Sequence, residues 1–143
     1  MLRPFTCLAS ALVMLVAATH ASADQPARVQ SSVLLKSESS WEGTAYGAYP
    51  TGTPELSVLK ITIPANTTLA WHKHPMPNAA YVLSGELTVE TQDGKQRKVL
   101  GQGDALAEMV ERHHRGTSGA TPTELIVFYA GSKDMPPSIA VPE

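Results

Sequence analysis

No stretch of this chain carries a helical period. Its apolar and β-branched residues come in short runs, cut by turn signals roughly every eight to twelve residues. Such punctuation restricts the chain to an all-β sandwich or barrel. Glu55 to Ile63 reads as a strand, ending at the turn Pro64-Ala65-Asn66, where Asn66 tolerates a left-handed backbone. Thr67 to His74 follows as a second strand, halted by Pro75 and Pro77, which cannot donate to a ladder. Ala79 to Leu83 resumes, Ser84-Gly85 turns, and Glu86 to Thr91 alternates, with Leu87 and Val89 on one side. Asp93-Gly94 is a hairpin signal before Arg97 to Leu100. Ala105 to Val110 is an apolar strand interrupted by Glu108, and Glu124 to Ala130 is a continuous apolar run of the kind buried on both faces.

The two ends read differently. Arg3, the apolar run Leu8 to Ala18 and the small-residue site Ala21-Ser22-Ala23 have the pattern of a secretory signal over residues 1–23. The apolar run is too short to span a bilayer, so cleavage leaves a chain free of the membrane, periplasmic or secreted. Residues 24–54 read as an N-terminal arm and irregular strands, 55–131 as the barrel, and 132–143 as an irregular tail. Cleavage removes the only cysteine, Cys7, which excludes a disulfide framework, a thiol nucleophile and a thiolate metal site. The 143-residue chain has a formal net charge of −2 and no basic run, which argues against nucleic acid as a partner.

Chemistry concentrates in Trp71-His72-Lys73-His74-Pro75-Met76-Pro77-Asn78. Alternation along a strand puts His72 and His74 on one face, about 6–7 Å apart, and Trp71 and Lys73 on the other. Two imidazoles on one face can grip a divalent metal, or they can be two surface histidines on an edge strand.

A strand-borne His-x-His, a following glycine, and a later Gly-Asp and His resemble the cupin superfamily, whose two motifs lie on neighbouring strands of a jelly-roll barrel, the double-stranded β-helix. In the first motif His72 and His74 match, Gly85 closes, Asn66 stands for the opening glycine, and Asn78 occupies the position of the usual glutamate ligand. In the second, Gly103 and His114 match, while Met109, Glu111 and Ser118 replace its proline, glycine and asparagine. The short gap between motifs is that of small bacterial single-domain cupins. The resemblance implies that His72, His74 and His114 converge on one divalent transition metal (Fe, Mn, Ni, Zn or Cu). It also implies a small-molecule ligand or substrate, and pairing of two copies with Trp71 or the arm at the interface.

Two residues carry open alternatives. Asn78 is either a weak ligand through its amide oxygen or the cap of the Pro-Met-Pro turn. Glu108 is either the missing carboxylate, as ligand or general base, or a residue that points to solvent or pairs with Arg112 or Arg115. His113 is expected to point away from His114. Met76, Tyr81, Leu106, Phe128 and Tyr129 are expected in the walls or the core, and Arg112 and Arg115 on a solvated face. The functions that follow are a metal-dependent oxygenase or isomerase acting on a small organic molecule, or a non-catalytic binding module on the same barrel.

Overall fold

The computed structural model describes residues 28–142, so the expected signal segment and its cleavage site lie outside the described residues. The barrel unit begins at Ser32. Nine strands form it, and no helix occurs among the described residues: β1 (Pro54–Ile63), β2 (His72–Lys73), β3 (Asn78–Ser84), β4 (Glu86–Thr91), β5 (Arg97–Gly101), β6 (Ala105–Ala107), β7 (His114–Ser118), β8 (Thr123–Ser132) and β9 (Ile139–Ala140). One sheet runs β1-β8-β3-β6 and the other β5-β4-β7-β2-β9, all pairs antiparallel. This is the all-β jelly roll expected from the turn spacing and the resemblance.

Register stacks the inward side chains in layers. Across the first sheet, Leu59 pairs with Val127, Val127 with Ala80, and Ala80 with Leu106. The neighbouring layer is Ile61, Leu125 and Val82. Against them the second sheet sets Leu87, Val89 and Leu100, each 2–3% exposed. Burying each large aliphatic side chain contributes about 1.5–3 kcal/mol. At one end the layer changes character. Tyr129 pairs with Asn78, and the Glu108 N–H donates to the Asn78 carbonyl at 3.0 Å, so Tyr129, Asn78 and Glu108 form an inward polar row. The facing sheet answers with Thr91, His114 and His72 in register. The histidines His72 and His114, with Asn78, Glu108 and Tyr129, are thus gathered at one end of the barrel.

Three expectations differ from the structure. The strand read over Thr67–His74 shrinks to His72–Lys73, with single bridges at Thr68 and His74, because Asn66 turns left-handed (φ 52°) and Pro75 stops the ladder. The apolar run in β8 is not buried on both faces. Phe128, 40% exposed, lies on the outer face in register with Val58, itself 66% exposed. The tail is not irregular throughout: β9 pairs with β2, His72 opposite Ala140 and Lys73 opposite Ile139.

Gly85 links β3 to β4 with φ 81°, and a Cβ there would lie 2.5 Å from the Pro122 carbonyl oxygen. Gly94, in the β4–β5 hairpin, also has positive φ (68°) but nothing within 4 Å. A side chain at positive φ costs about 1–3 kcal/mol. Urea unfolding should therefore show Gly94→Ala losing stability within that range and Gly85→Ala losing clearly more. Equal losses would mean that the β3–β4 turn yields to remove the overlap.

Candidate metal centre

The centre grows from β2 and β7. Pairing sets His72 directly opposite His114, while His74 lies beyond the end of β2 and bridges to Val110. The ring centroids are 4.5 Å apart for His72 and His114, and 5.0 Å for each of them with His74. One ring nitrogen from each histidine lies within 4.8 Å of the other two. His74 and His114 are buried, at 4% and 2% exposure.

Hydrogen bonds fix which nitrogen each ring offers. His72 Nδ1 is 2.9 Å from the Ala70 carbonyl oxygen, His74 Nδ1 2.7 Å from that of Pro137, and His114 Nδ1 2.9 Å from that of Arg112. A carbonyl only accepts, so each neutral ring donates its Nδ1–H and keeps the lone pair on Nε2. Burial holds His74 down to about 4 and His114 down to about 3, outweighing the hydrogen bonds to Pro137 and Arg112 that favour protonation. At neutral pH both rings are uncharged, the form that ligates metal.

Glu108 lies just past β6, 7% exposed, with Oε2 at 3.5 Å from His114 Nε2. This is no ion pair. Burial pushes the Glu108 carboxyl up to about 7 while His114 stays neutral. Nor is it a hydrogen bond of ordinary length. Glu108 Oε2 and His114 Nε2 are both buried without a partner. Buried polar atoms left unpaired cost free energy, so two of them facing each other mark a place built for a further group. The histidines and Glu108 line a cavity of about 60 Å³, walled by Ile61, Leu87, Val127 and Tyr129. A water molecule's share of liquid volume is about 30 Å³, so the space suits an ion with one or two small ligands. Gly116 also lines it, where a Cβ would reach 3.0 Å from Leu87 Cδ1.

The other residues singled out from the sequence separate cleanly. Asn78 is buried, and its amide nitrogen donates to the Met76 carbonyl at 3.1 Å, the turn-capping geometry, while Oδ1 is buried without a partner. His113 is exposed and pairs through Nδ1 with Gln92 Oε1 at 2.7 Å. Lys73 pairs with Glu111 and Arg112 with Glu42, while Arg115 meets Glu90 at 2.7 Å and stacks over Trp71 at 4.1 Å. Met76 and Leu106 are core residues, and Tyr81 is half-buried. Tyr129 does more than fill the core. Its ring is 5.8 Å from that of His74, and burial, with the Glu108 charge second, pushes its hydroxyl up to about 12. The sequence placed Tyr129 in the walls or the core; its place beside His74 was not visible there.

A cupin-domain family model matches residues 59–129. Ninety solved chains share the fold. Among them is a structure of the DMSP lyase DddQ from Ruegeria pomeroyi DSS-3, with a TM-score of 0.54, 20% identity, 70% of this chain and 47% of that one covered. The polyketide cyclase RemF from Streptomyces resistomycificus gives 0.52, 19%, 62% and 61%. An oxalate oxidase gives 0.52, 20%, 60% and 46%. The chain therefore spans about half the length of these structures, and at such identities the likeness is one of fold. No protein of curated function matches the sequence. The family match and the two-sheet barrel that carries it place a cupin domain at residues 59–129 of this chain.

Proposed function

We propose that this protein is an exported cupin that holds one divalent transition metal on His72, His74 and His114 and uses it on a small organic molecule. The observation that carries the reading is the set of three Nδ1–H donors tied to carbonyls, which leaves each lone pair on Nε2 in a trio whose rings each bring one nitrogen within 4.8 Å of the others. Three neutral imidazoles suit Fe, Mn, Ni, Zn or Cu and leave further positions open. A bound ion would act as a Lewis acid and template for a chelating ligand. Export rests on the signal pattern of residues 1–23.

The remaining steps belong to the chain's own groups. Asn78 Oδ1, buried and unpaired in the same polar row, is the candidate for a fourth, weak ligand. Glu108 is the acid–base group: a carboxyl raised to about 7 is half ionised at neutral pH and suited to take a proton and return it. Tyr129 stays protonated at neutral pH and can donate a hydrogen bond. The apolar walls exclude water. The cavity, at about 60 Å³, admits only the reacting end of a substrate. The chemistry this favours is proton transfer next to a chelating oxygen, or oxidation of such a compound by oxygen. The DMSP lyase, polyketide cyclase and oxalate oxidase of similar fold also act on small molecules. A non-catalytic binding module is the alternative, favoured by the closeness of that cavity.

Glu108→Gln separates the two. The metal-loaded protein would be given a panel of small hydroxy and keto acids in D2O, with C–H exchange followed by NMR and oxygen uptake by electrode. The enzyme reading expects a substrate for the wild type and a loss of about 10²–10⁴-fold in the variant, with metal retained. A variant that loses metal as completely as a histidine variant would make Glu108 a ligand and end its acid–base assignment. A panel unchanged by either protein would favour the binding module.

The metal-free protein carries a pH signature. Folded His74 and His114 titrate below the ordinary histidine value, so between about 4 and 6.5 the unfolded chain holds the extra protons, and stability falls as pH drops through that window. Glu108 acts oppositely. Its folded value is raised from 4.5 to about 7, so its contribution is present below about 4.5 and lost as pH rises to 7. Metal-free Glu108→Gln should therefore gain stability relative to wild type as pH rises from 4.5 to 7, read as the difference in Tm. A constant difference would mean that Glu108 is not held neutral by burial.

A further inference from the structure

Two of the three histidines are anchored by the backbone just before their own strand. His72 and His114 each donate Nδ1–H to a carbonyl two residues earlier, Ala70 and Arg112. His74 is different. Its acceptor is the Pro137 carbonyl, 63 residues further along, in the tail beyond β8. His74 is 4% exposed, so without that carbonyl its Nδ1–H would be a buried donor with no partner.

The tail is fastened at several points, three of them on Trp71, His72 and Lys73. Ala140 pairs with His72 and Ile139 with Lys73. The Val141 N–H donates to the Trp71 carbonyl at 3.0 Å. Gln92 Nε2 donates to the Pro142 carbonyl at 3.1 Å. Met135, where the tail begins, packs on the core. β2 is only two residues long, with β7 on one side and β9 on the other. Removing the tail would turn β2 into an edge and free His74 to rotate or change tautomer. Both the backbone that carries the ligands and the ring that completes the set are therefore held from residues 137–142.

We infer that the C-terminal tail, Pro136 to Pro142, is a positioning strap for the metal centre. Through the Pro137 carbonyl it holds His74 as the Nδ1–H tautomer with Nε2 toward His72 and His114, and through β9 it fixes the height of β2. The affinity of the site is thus tied to a segment that touches neither metal nor substrate. A partner or modification that peeled the tail away would loosen the metal while leaving the sheets paired, since β1, β8, β3 and β4 make no use of β9. The affinity part of this inference rests on the histidines being ligands; the tautomer part does not.

The test is truncation after Met135, which keeps the core contact and removes the strap, with Val141→Pro as a milder variant that deletes only the bond to Trp71. Long-range ¹H–¹⁵N NMR of the metal-free proteins reads each histidine's tautomer. In full-length protein all three rings should be Nδ1–H. In the truncated protein His74 should become mixed while His72 and His114 keep theirs. Affinity for Zn²⁺ and Mn²⁺ alone, by competition with a chromophoric chelator, should fall about 10–100-fold, the usual cost of losing a hydrogen-bond partner of a ligating histidine. Val141→Pro should move both readouts the same way by less. A folded truncation with an unchanged His74 tautomer overturns the strap, whatever the metal does. If the truncated chain fails to fold, Val141→Pro decides by the same criteria. If full-length protein binds neither ion, the metal reading falls, and the tautomer comparison still judges the strap.

Discussion

Three hydrogen bonds from imidazole Nδ1–H groups to backbone carbonyls govern the functional end of this molecule. A neutral histidine can face a site with either nitrogen, and a trio free to choose would present donors and acceptors at random. Here the carbonyls of Ala70, Pro137 and Arg112 make the choice, and every ring keeps its Nε2 lone pair. Burial then keeps His74 and His114 uncharged at neutral pH. Orientation and tautomer are set before any ligand arrives, which is the preorganisation a metal exploits.

The fold makes that arrangement affordable. The inward layers of Leu59, Val127, Ala80 and Leu106, and of Ile61, Leu125 and Val82, are wholly apolar and supply the burial that holds the two sheets together. In the end layer Asn78, Glu108 and Tyr129 on one sheet oppose Thr91, His114 and His72 on the other, while the buried polar residues at the far end, Ser118 and Thr123, are satisfied by the Pro64 and Glu86 carbonyls. The unpaired side-chain atoms of Asn78, Glu108 and His114 fall in that one layer, and His72, His74, Glu108 and His114 all line one small cavity. Glu108 stands beside Asn78 across β3 and β6, so the inward layer regains a carboxylate that the first cupin motif lacks at position 78.

Much of this was legible in the residues. Alternation placed His72 and His74 on one face, the turn residues marked the strands, and Asn66 adopts the left-handed backbone that its place in the motif demanded. The exposed side of His113 followed from its adjacency to His114. What escaped was long-range. A carbonyl has no side chain to advertise it, so nothing in Pro136-Pro137 announced the acceptor for His74. The short ladder of β2 escaped too, because β-branched composition reports propensity and not whether a neighbour is available to pair. The outward face of β8 was misjudged because a continuous apolar run cannot reveal which side lacks a cover.

The measurement closest to the central claim is metal content by elemental mass spectrometry, for the purified protein and for a His72→Ala/His74→Ala variant, each before and after reconstitution with a panel of divalent ions. The account predicts close to one ion per chain in the wild type and essentially none in the variant, at unchanged β-sheet content by circular dichroism. Absence of metal from both proteins after reconstitution, or equal metal in both, would contradict it.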